Sequence, residues 1–396
     1  PPLPPAGEGP GVRANISAAP PLQPSPAGGG GGFFSLGVAA NAMAGHGQQA
    51  VEEQPLRVRT LDASAEGAWD AFVDACPEAT FFHRAGWRTV LEQAFGHPAR
   101  YLYTERNGRI TGVLPLGHVR SRLFGNALIS VPFCVYGGVA TQDEEAARTL
   151  TAAARDLAED LGVDYLELRH RERRNPDWPC KDDLYVTFRK PIDADPEKNM
   201  LAIPRKQRAM VRKGLKHQLT STVDTGIDRF FPIYADSVRR LGTPVFARRY
   251  FALLHDVFGP DCDVVTVSQD DTPVSSVLNF YFRDEVLPYY GGGTEQARAV
   301  AGYDFLYWEV MRRACERGYR LFDYGRSKRG TGSYSFKKNW GFEPEPLHYE
   351  YHLVRAKQIP EINPLNPKYR LFIEGWKRLP TPVANVVGPW ISRALG

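Results

Sequence analysis

Between Gly318 and Gly341 the chain reads GYRLFDYGRSKRGTGSYSFKKNWG, and the residue types best suited to chemistry are concentrated there. Arg326, Lys328, Arg329, Lys337 and Lys338 are spread among Gly330, Gly332 and Gly341, with Tyr334, Phe336 and Trp340 interleaved. Cations on a backbone that can bend close to a ligand suit an anionic partner. A fixed cation lowers the barrier of a reaction in which negative charge develops beside it, a role open to the lysines and arginines of this stretch. Asp323 stands at the end of a strand pattern, where it could take a proton from an attacking group directly or through water. It could equally form a structural ion pair with Arg326 or Arg320. Arg326 suits a bidentate grip on phosphate or carboxylate. A solvated hairpin or loop is the plain alternative for the whole stretch.

Two further segments could bind anions. Pro204 to His217 (PRKQRAMVRKGLKH) has six Lys or Arg in fourteen residues and no acid. On a helix begun by Pro204, Arg205, Arg208, Arg212 and Lys216 share a stripe, with Lys206 beside it, while Met210 and Leu215 lie away from it. Such a stripe is either a solvated face or a clamp for a polyanion such as tRNA, a nucleotide-linked precursor or lipid phosphates. The run Tyr289-Tyr290-Gly291-Gly292-Gly293-Thr294 could cradle phosphate ahead of a helix, or could be a bulge or tight turn. Tyr290 and Tyr334 are the aromatic candidates for contact with substrate.

Other chemistries lack their residues. The five cysteines are widely separated with no CxxC pair, and the nine histidines show no HExxH or paired spacing, so no metal is expected. There is no P-loop and no GxSxG, which leaves covalent catalysis by Ser or Cys unsupported. A formal net charge of +4 confines anion binding to local patches, and no DNA partner is expected. No apolar run is long enough to span a bilayer.

The elements that must position these residues occur twice. From Leu56 onward, helices at Ala65–Cys76 and Gly86–Phe95 precede strands at Ala99–Glu105, Ile110–Val119 and Leu128–Tyr136, with a hairpin signal at Asn107-Gly108. A helix at Glu144–Leu161 and a strand at Tyr165–Arg169 follow. The order returns as helix Phe251–Phe258, strands Asp263–Ser268, Val274–Phe282 and Val286–Tyr290, helix Tyr303–Arg317 and the strand at Tyr319. Local wording returns too: LEQAFG with LHDVFG, VYGG with YYGG, and GVDYLE with GYRLFD, in the same order. These echoes indicate a tandem duplication of one α/β unit, with the boundary near Pro191.

A doubled unit of this order, with FDYGRS followed by SYSFKKNWGF, resembles the FemAB-like family of the GNAT superfamily. With the Pro204–Arg208 run it is most similar to the subgroup associated with exosortase and PEP-CTERM systems. The resemblance covers about Leu56 to Arg355. It implies an α/β (α+β) fold: a tandem pair of GNAT-like domains with mixed, mostly antiparallel sheets flanked by helices. The first would span 51–190 and the second, 191–355, would carry the site. It also implies that Phe336 and Lys337 sit at the reaction centre, and that an aminoacyl or acyl group passes to an amine of a cell-envelope or exopolysaccharide precursor without an acyl-enzyme. No resident cofactor is implied; the donor would be aminoacyl-tRNA or acyl-CoA. The loop GGGTEQARAVAGYD lacks the arginine–glycine spacing of CoA-binding relatives, which weakens the acyl-CoA reading. A binding module that grips an anionic glycan or lipid carrier without turnover stands as the alternative outside enzymes. Replacing Lys337 with Ala is expected to abolish activity with little change in melting temperature.

The ends of the chain differ in material. Residues 1 to about 50 hold nine prolines and eleven glycines and cannot build a core, so they are expected to be disordered or non-native, with the natural start near Met43. A faint signal-peptide resemblance at Phe33–Ala44 lacks a basic flank, so a cytoplasmic location is expected, with the inner face of the membrane as a second possibility. The tail, 356–396, carries Tyr369, Phe372, Trp376 and Trp390. It would either pack on the core, the preferred reading, or lie on a membrane surface, though Pro380, Pro382 and Pro389 preclude one long helix.

Overall fold

Pro115 breaks what would otherwise be one long strand, and the break decides how the first half is built. The computed structural model describes residues 54–121, 125–359 and 370–394. The expectations for residues 1 to 50, including a start near Met43, lie outside them. The first half runs β1 (Arg57–Thr60), α1 (Glu66–Ala75), α2 (Gly86–Val90), β2 (Leu102–Arg106), β3 (Arg109–Leu114), β4 (Leu116–Ser121), β5 (Gly125–Ser130), α3 (Glu144–Asp160), β6 (Tyr165–His170) and β7 (Cys180–Lys181). Asn107 and Gly108 both take positive φ, 53° and 72°, as a two-residue hairpin between β2 and β3 requires. Across Pro115 the chain leaves the three-stranded sheet β1-β2-β3 and enters a five-stranded one. The single strand expected over Ile110–Val119 is therefore two. Asp143 caps α3 by accepting from the amides of Glu145 and Ala146, and Leu150, Ala154 and Ala158 form its buried stripe.

β8 (Tyr185–Pro191) closes the first half, and the second half continues with α4 (Pro196–Ala202), α5 (Arg205–Lys216), β9 (Thr220–Asp224), α6 (Phe230–Leu241), α7 (Arg248–Phe258), β10 (Cys262–Gln269), β11 (Thr272–Phe282), β12 (Glu285–Gly293), α8 (Gln296–Ala299), α9 (Gly302–Glu316), β13 (Leu321–Asp323), β14 (Ser327–Lys328), α10 (Gly332–Asn339), β15 (Pro344–Pro346) and β16 (His348–Leu353). Two short helices, α11 (Arg370–Lys377) and α12 (Thr381–Ser392), follow. SYSFKKN is thus helix and not hairpin. Thr331 caps that helix, its hydroxyl accepting from the amide of Tyr334.

Each half contains the same strand–helix–parallel strand unit, β5-α3-β6 and β12-α9-β13, and the other pairings are antiparallel. This is the mixed, helix-flanked, tandem architecture expected from the repeats. The halves also exchange strands. The five-stranded sheet has the order β4-β5-β6-β16-β7, so β16 from the end of the second half pairs with β6. The other sheet has the path β14-β8-β13-β12-β11-β10-β9, so β8 lies inside it, with β15 on its flank. An aromatic core links the halves: Phe81 stacks on Phe280 at 4.4 Å, and Phe82 meets Tyr289 at 5.2 Å.

The strand expected over Leu128–Tyr136 ends at Ser130. Pro132 cannot donate to a ladder, and Val131 and Phe133 adopt positive φ. The freed segment is held by Arg169, which donates to the carbonyl of Cys134 at 2.7 Å. Its irregular path brings Phe133 and Val135 into the wall of the central cleft.

Candidate active site

The parallel strands β12 and β13 pair over two positions only, Glu285 with Leu321 and Val286 with Phe322. Beyond them β12 continues along β11 to Gly293, while the chain after β13 turns at Gly325, whose φ of +65° favours glycine. A cavity of about 540 Å³ opens there. Pro288, Tyr289 and Tyr290 line it on one side and Tyr324, Gly325 and Arg326 on the other. That volume suits a small-molecule moiety. A bulge in β12 explains why successive tyrosines both face it. Leu278 pairs with Tyr290 but Asn279 with Pro288, so Tyr289 is the extra residue. The strand alternation is broken, and the two rings meet edge to face at 4.7 Å.

Helix α10 delivers Lys337 to the cavity floor. Trp340 is buried and donates to Asp304 at 3.0 Å, which anchors the helix to α9. Phe336 packs against Tyr307 at 5.5 Å, behind the cavity wall. Lys337 turns the other way, and its Nζ donates to the carbonyls of Tyr324 at 2.7 Å, Gly325 at 2.9 Å and Arg326 at 3.1 Å. It is 9% exposed, and burial pushes its pKa down to about 7, with Arg326 acting in the same direction and Asp323 against it. The three donors of an ammonium are matched to three carbonyls.

Arg326 projects into the cavity beside two adjacent aromatic rings, its guanidinium 4.7 Å from the centre of Tyr185 and 5.8 Å from that of Tyr349. It donates to the Tyr349 hydroxyl at 3.1 Å, and no ion pair engages it among the described residues. A stacked guanidinium without a carboxylate partner is available to an anion. Arg169, which also lines the cavity and lies 5.3 Å from the centre of the Tyr349 ring, is instead paired with Glu167 at 2.7 Å.

Asp323 lies behind this surface. It is fully buried, accepts from the Gly325 amide at 2.7 Å and the Tyr136 hydroxyl at 3.0 Å, and pairs with Arg189 at 3.3 Å. It does not line the cavity. Neither does Tyr334, which packs edge-on to Phe188 at 5.5 Å. Arg205, Lys206, Arg208 and Arg212 lie on α5, which faces α9 through Gln207, Val211 and Gly214. Arg205, Lys206 and Arg212 are exposed and Arg208 is half-buried; none reaches the cavity. Among the sequence candidates, Lys337, Arg326 and Tyr290 therefore come together and the others do not.

The glycine run is strand, not loop. Gly291, Gly292 and Gly293 pair with Val277, Ser276 and Ser275. A Cβ on Gly292 would lie 2.8 Å from the Tyr234 Cα, so the glycine permits α6 to pack directly on β12. Sequence reasoning missed Tyr185, Tyr349 and Tyr351, which line the cavity from the exchanged strands. The alternation in HYEYHL was the available signal, since Tyr349 and Tyr351 share one face of a strand.

Residues 202–338 match the family model of the acetyltransferase (GNAT) domain. A search of curated proteins finds no match. Among solved structures the fold is similar to that of FemX, at 15% identity and TM-score 0.60, covering 80% of this chain and 100% of that one. It is also similar to the C-terminal domain of an Agrobacterium fabrum protein assigned as a lysylphosphatidylglycerol synthetase, at 13% identity and TM-score 0.50, covering 73% and 92%. A conserved protein of unknown function from Bacteroides thetaiotaomicron matches at 8% identity and TM-score 0.51, covering 76% and 100%. The described chain is thus a tandem GNAT-like fold, with its central cleft formed where the parallel strands of the second unit part.

Proposed function

We propose that the protein is a FemAB-like acyltransferase that moves an aminoacyl or acyl group onto an amine of a cell-envelope or exopolysaccharide precursor by direct attack. The observation that carries this reading is the buried Lys337 beside Arg326, which has no carboxylate partner among the described residues, at the cleft where β12 and β13 separate. Arg326 would hold a phosphate or carboxylate of the substrate against Tyr185 and Tyr349. The donor carbonyl would lie in the gap between the strands. As charge develops on its oxygen, Lys337 would stabilise it, exchanging its longest hydrogen bond, to the Arg326 carbonyl, for the oxyanion. The amine would expel the donor's leaving group from the tetrahedral intermediate, with its proton lost to solvent.

The donor in this reading is aminoacyl-tRNA, with the exposed Arg205 and Arg212 of α5, which form no ion pair among the described residues, tracking its backbone. The precursor class follows the motif's resemblance to the exosortase-associated subgroup, and the site of action would be the cytoplasmic face of the membrane. An acyl-CoA donor is the second reading, favoured by the match of residues 202–338 to a GNAT acetyltransferase domain. The helix packed over Gly292 argues against a phosphate cradle at the glycine run.

Titrating charged tRNA and acyl-CoA separately against the protein, with transfer to an amine acceptor followed, tests the proposal. Salt-dependent binding and transfer from charged tRNA is the expected result. Saturable acyl-CoA binding with turnover would replace the donor. Binding of an anionic glycan or lipid carrier without turnover from either donor would replace the enzyme with a binding module.

A further inference from the structure

Helix α12 is amphipathic the wrong way round for a helix packed on a water-soluble core. Its inward residues are small: Ala384, Gly388 and Ser392 are buried. The backbone at Gly388 approaches Val245 so closely that an added Cβ would lie 2.9 Å from the Val245 amide nitrogen. Its large apolar residues, Val383, Val386, Val387 and Trp390, recur at the spacing of one helical stripe and face outward. Trp390 is 74% exposed and Val386 68%. The neighbouring α11 adds Leu371, 86% exposed, and Phe372, and α6, on which both helices pack, ends in the exposed Leu241.

The stripe has a definite orientation because the helices beneath it are fixed. Arg239 on α6 donates to the carbonyls of Lys377 at 2.8 Å and Leu379 at 3.3 Å, closing the end of α11. Ser392 donates to the Val245 carbonyl, and His97 bonds to the Arg393 carbonyl at 2.6 Å. From Leu371 to Ala394 the chain carries Lys377, Arg378 and Arg393 against Glu374, which pairs with Lys377 at 2.8 Å, so Arg378 and Arg393 leave the segment net positive, and α12 itself has no charged residue. Arg378 and Arg393 are exposed at its two ends. An apolar stripe with an aromatic residue and flanking cations fits the interface of an anionic bilayer, where rings lie at headgroup level and cations meet phosphates.

We infer that the outward face of α11 and α12 is a membrane-docking surface selective for anionic lipid. It opens beside the cleft, because Ser392 on the inner side of α12 lines the cavity together with Thr243 and Pro244. Docking would therefore hold one rim of the cleft against the headgroup layer, where an acceptor on a lipid carrier would present its head. The inference rests on the transferase reading only for that acceptor; lipid binding is measured without turnover, so either can fail alone.

The test is co-sedimentation of the full chain with vesicles of phosphatidylcholine, with and without phosphatidylglycerol, beside the double variant Val386→Asp/Trp390→Asp. Binding to phosphatidylglycerol vesicles is expected, weakened by salt, and at least about tenfold weaker in the variant. Both positions are solvent-exposed, so the variant should keep the wild-type melting temperature; Trp390→Ser serves in its place if it does not. No vesicle binding, equal binding to neutral vesicles, or equal binding by the variants would overturn the inference. So would self-association in sedimentation velocity that the variants abolish without any vesicle binding, since the face would then belong to a second copy.

Discussion

Lys337 Nζ and the carbonyl oxygen of Gly325 lie 2.9 Å apart, and this bond ties helix α10 to the turn that presents Arg326. The same ammonium also engages the carbonyls on either side, so the motif lysine is at once a candidate for chemistry and the clasp of the site.

That geometry revises the expected outcome of Lys337→Ala. Removing the side chain strands three carbonyls, and a buried group left without its partner costs about 1–3 kcal/mol. The variant should lose activity and also about 2–4 kcal/mol of stability in urea unfolding. An unchanged unfolding midpoint would show that water replaces the ammonium without penalty.

The lysine also sets a pH signature. Its ordinary pKa of 10.5 is lowered to about 7 by burial. Between those values the unfolded chain holds a proton that the folded chain has released. This group's contribution to stability therefore rises with pH from about 7 upward, and the full cost of the buried charge is felt below 7. If the ammonium stabilises the oxyanion, kcat must fall on the alkaline side with an apparent pKa near 7. A rise of kcat through that pH would instead make the free amine a base.

Asp323→Asn should behave as a structural lesion. The carboxylate pairs with Arg189 and accepts from Tyr136 and the Gly325 amide, and neither it nor Arg189 nor Tyr136 lines the cavity. Arg189 retains Glu285, so the loss should be moderate, about 1.5–3 kcal/mol, as for a hydrogen bond to a charged group. A variant with full stability and no activity would return Asp323 to the role of base.

Arg326→Lys is not a conservative change here. An ammonium lacks the planar fork and the flat surface that the guanidinium lays against the adjacent rings of Tyr185 and Tyr349. The expected result is a rise of about tenfold or more in KM for an anionic substrate, with a smaller change in kcat. Steady-state kinetics at constant ionic strength would show it, and an unchanged KM would remove Arg326 from substrate binding.

Gly292→Ala should destabilise by about 1–3 kcal/mol, because backbone cannot yield as a flexible side chain does. The added Cβ would lie 2.8 Å from the Tyr234 Cα. Gly332→Ala is the control: nothing lies within 4 Å of its Cβ position, so thermal melts should show no loss and a gain of up to about 1 kcal/mol. Equal effects at both positions would mean that α6 does not rest on Gly292.

The sequence by itself determined the repeated strand–helix–strand unit, because amphipathic period, turn residues and local wording are properties of neighbours along the chain. It also marked Lys337 and Arg326, which share one contiguous motif, and Tyr290 in the separate run Tyr289–Thr294. Only the tertiary structure decided which residues share the cleft, because β8 carries Tyr185 across from the first half and β16, paired with β6, sets Tyr349 beside it at Arg326. Only the fold could show that Asp323 is sealed behind Arg189, since a carboxylate at a strand end reads the same from either face. The glycine run was ambiguous for a similar reason: a glycine kept for close helix packing and one kept for phosphate look alike until α6 is placed upon it.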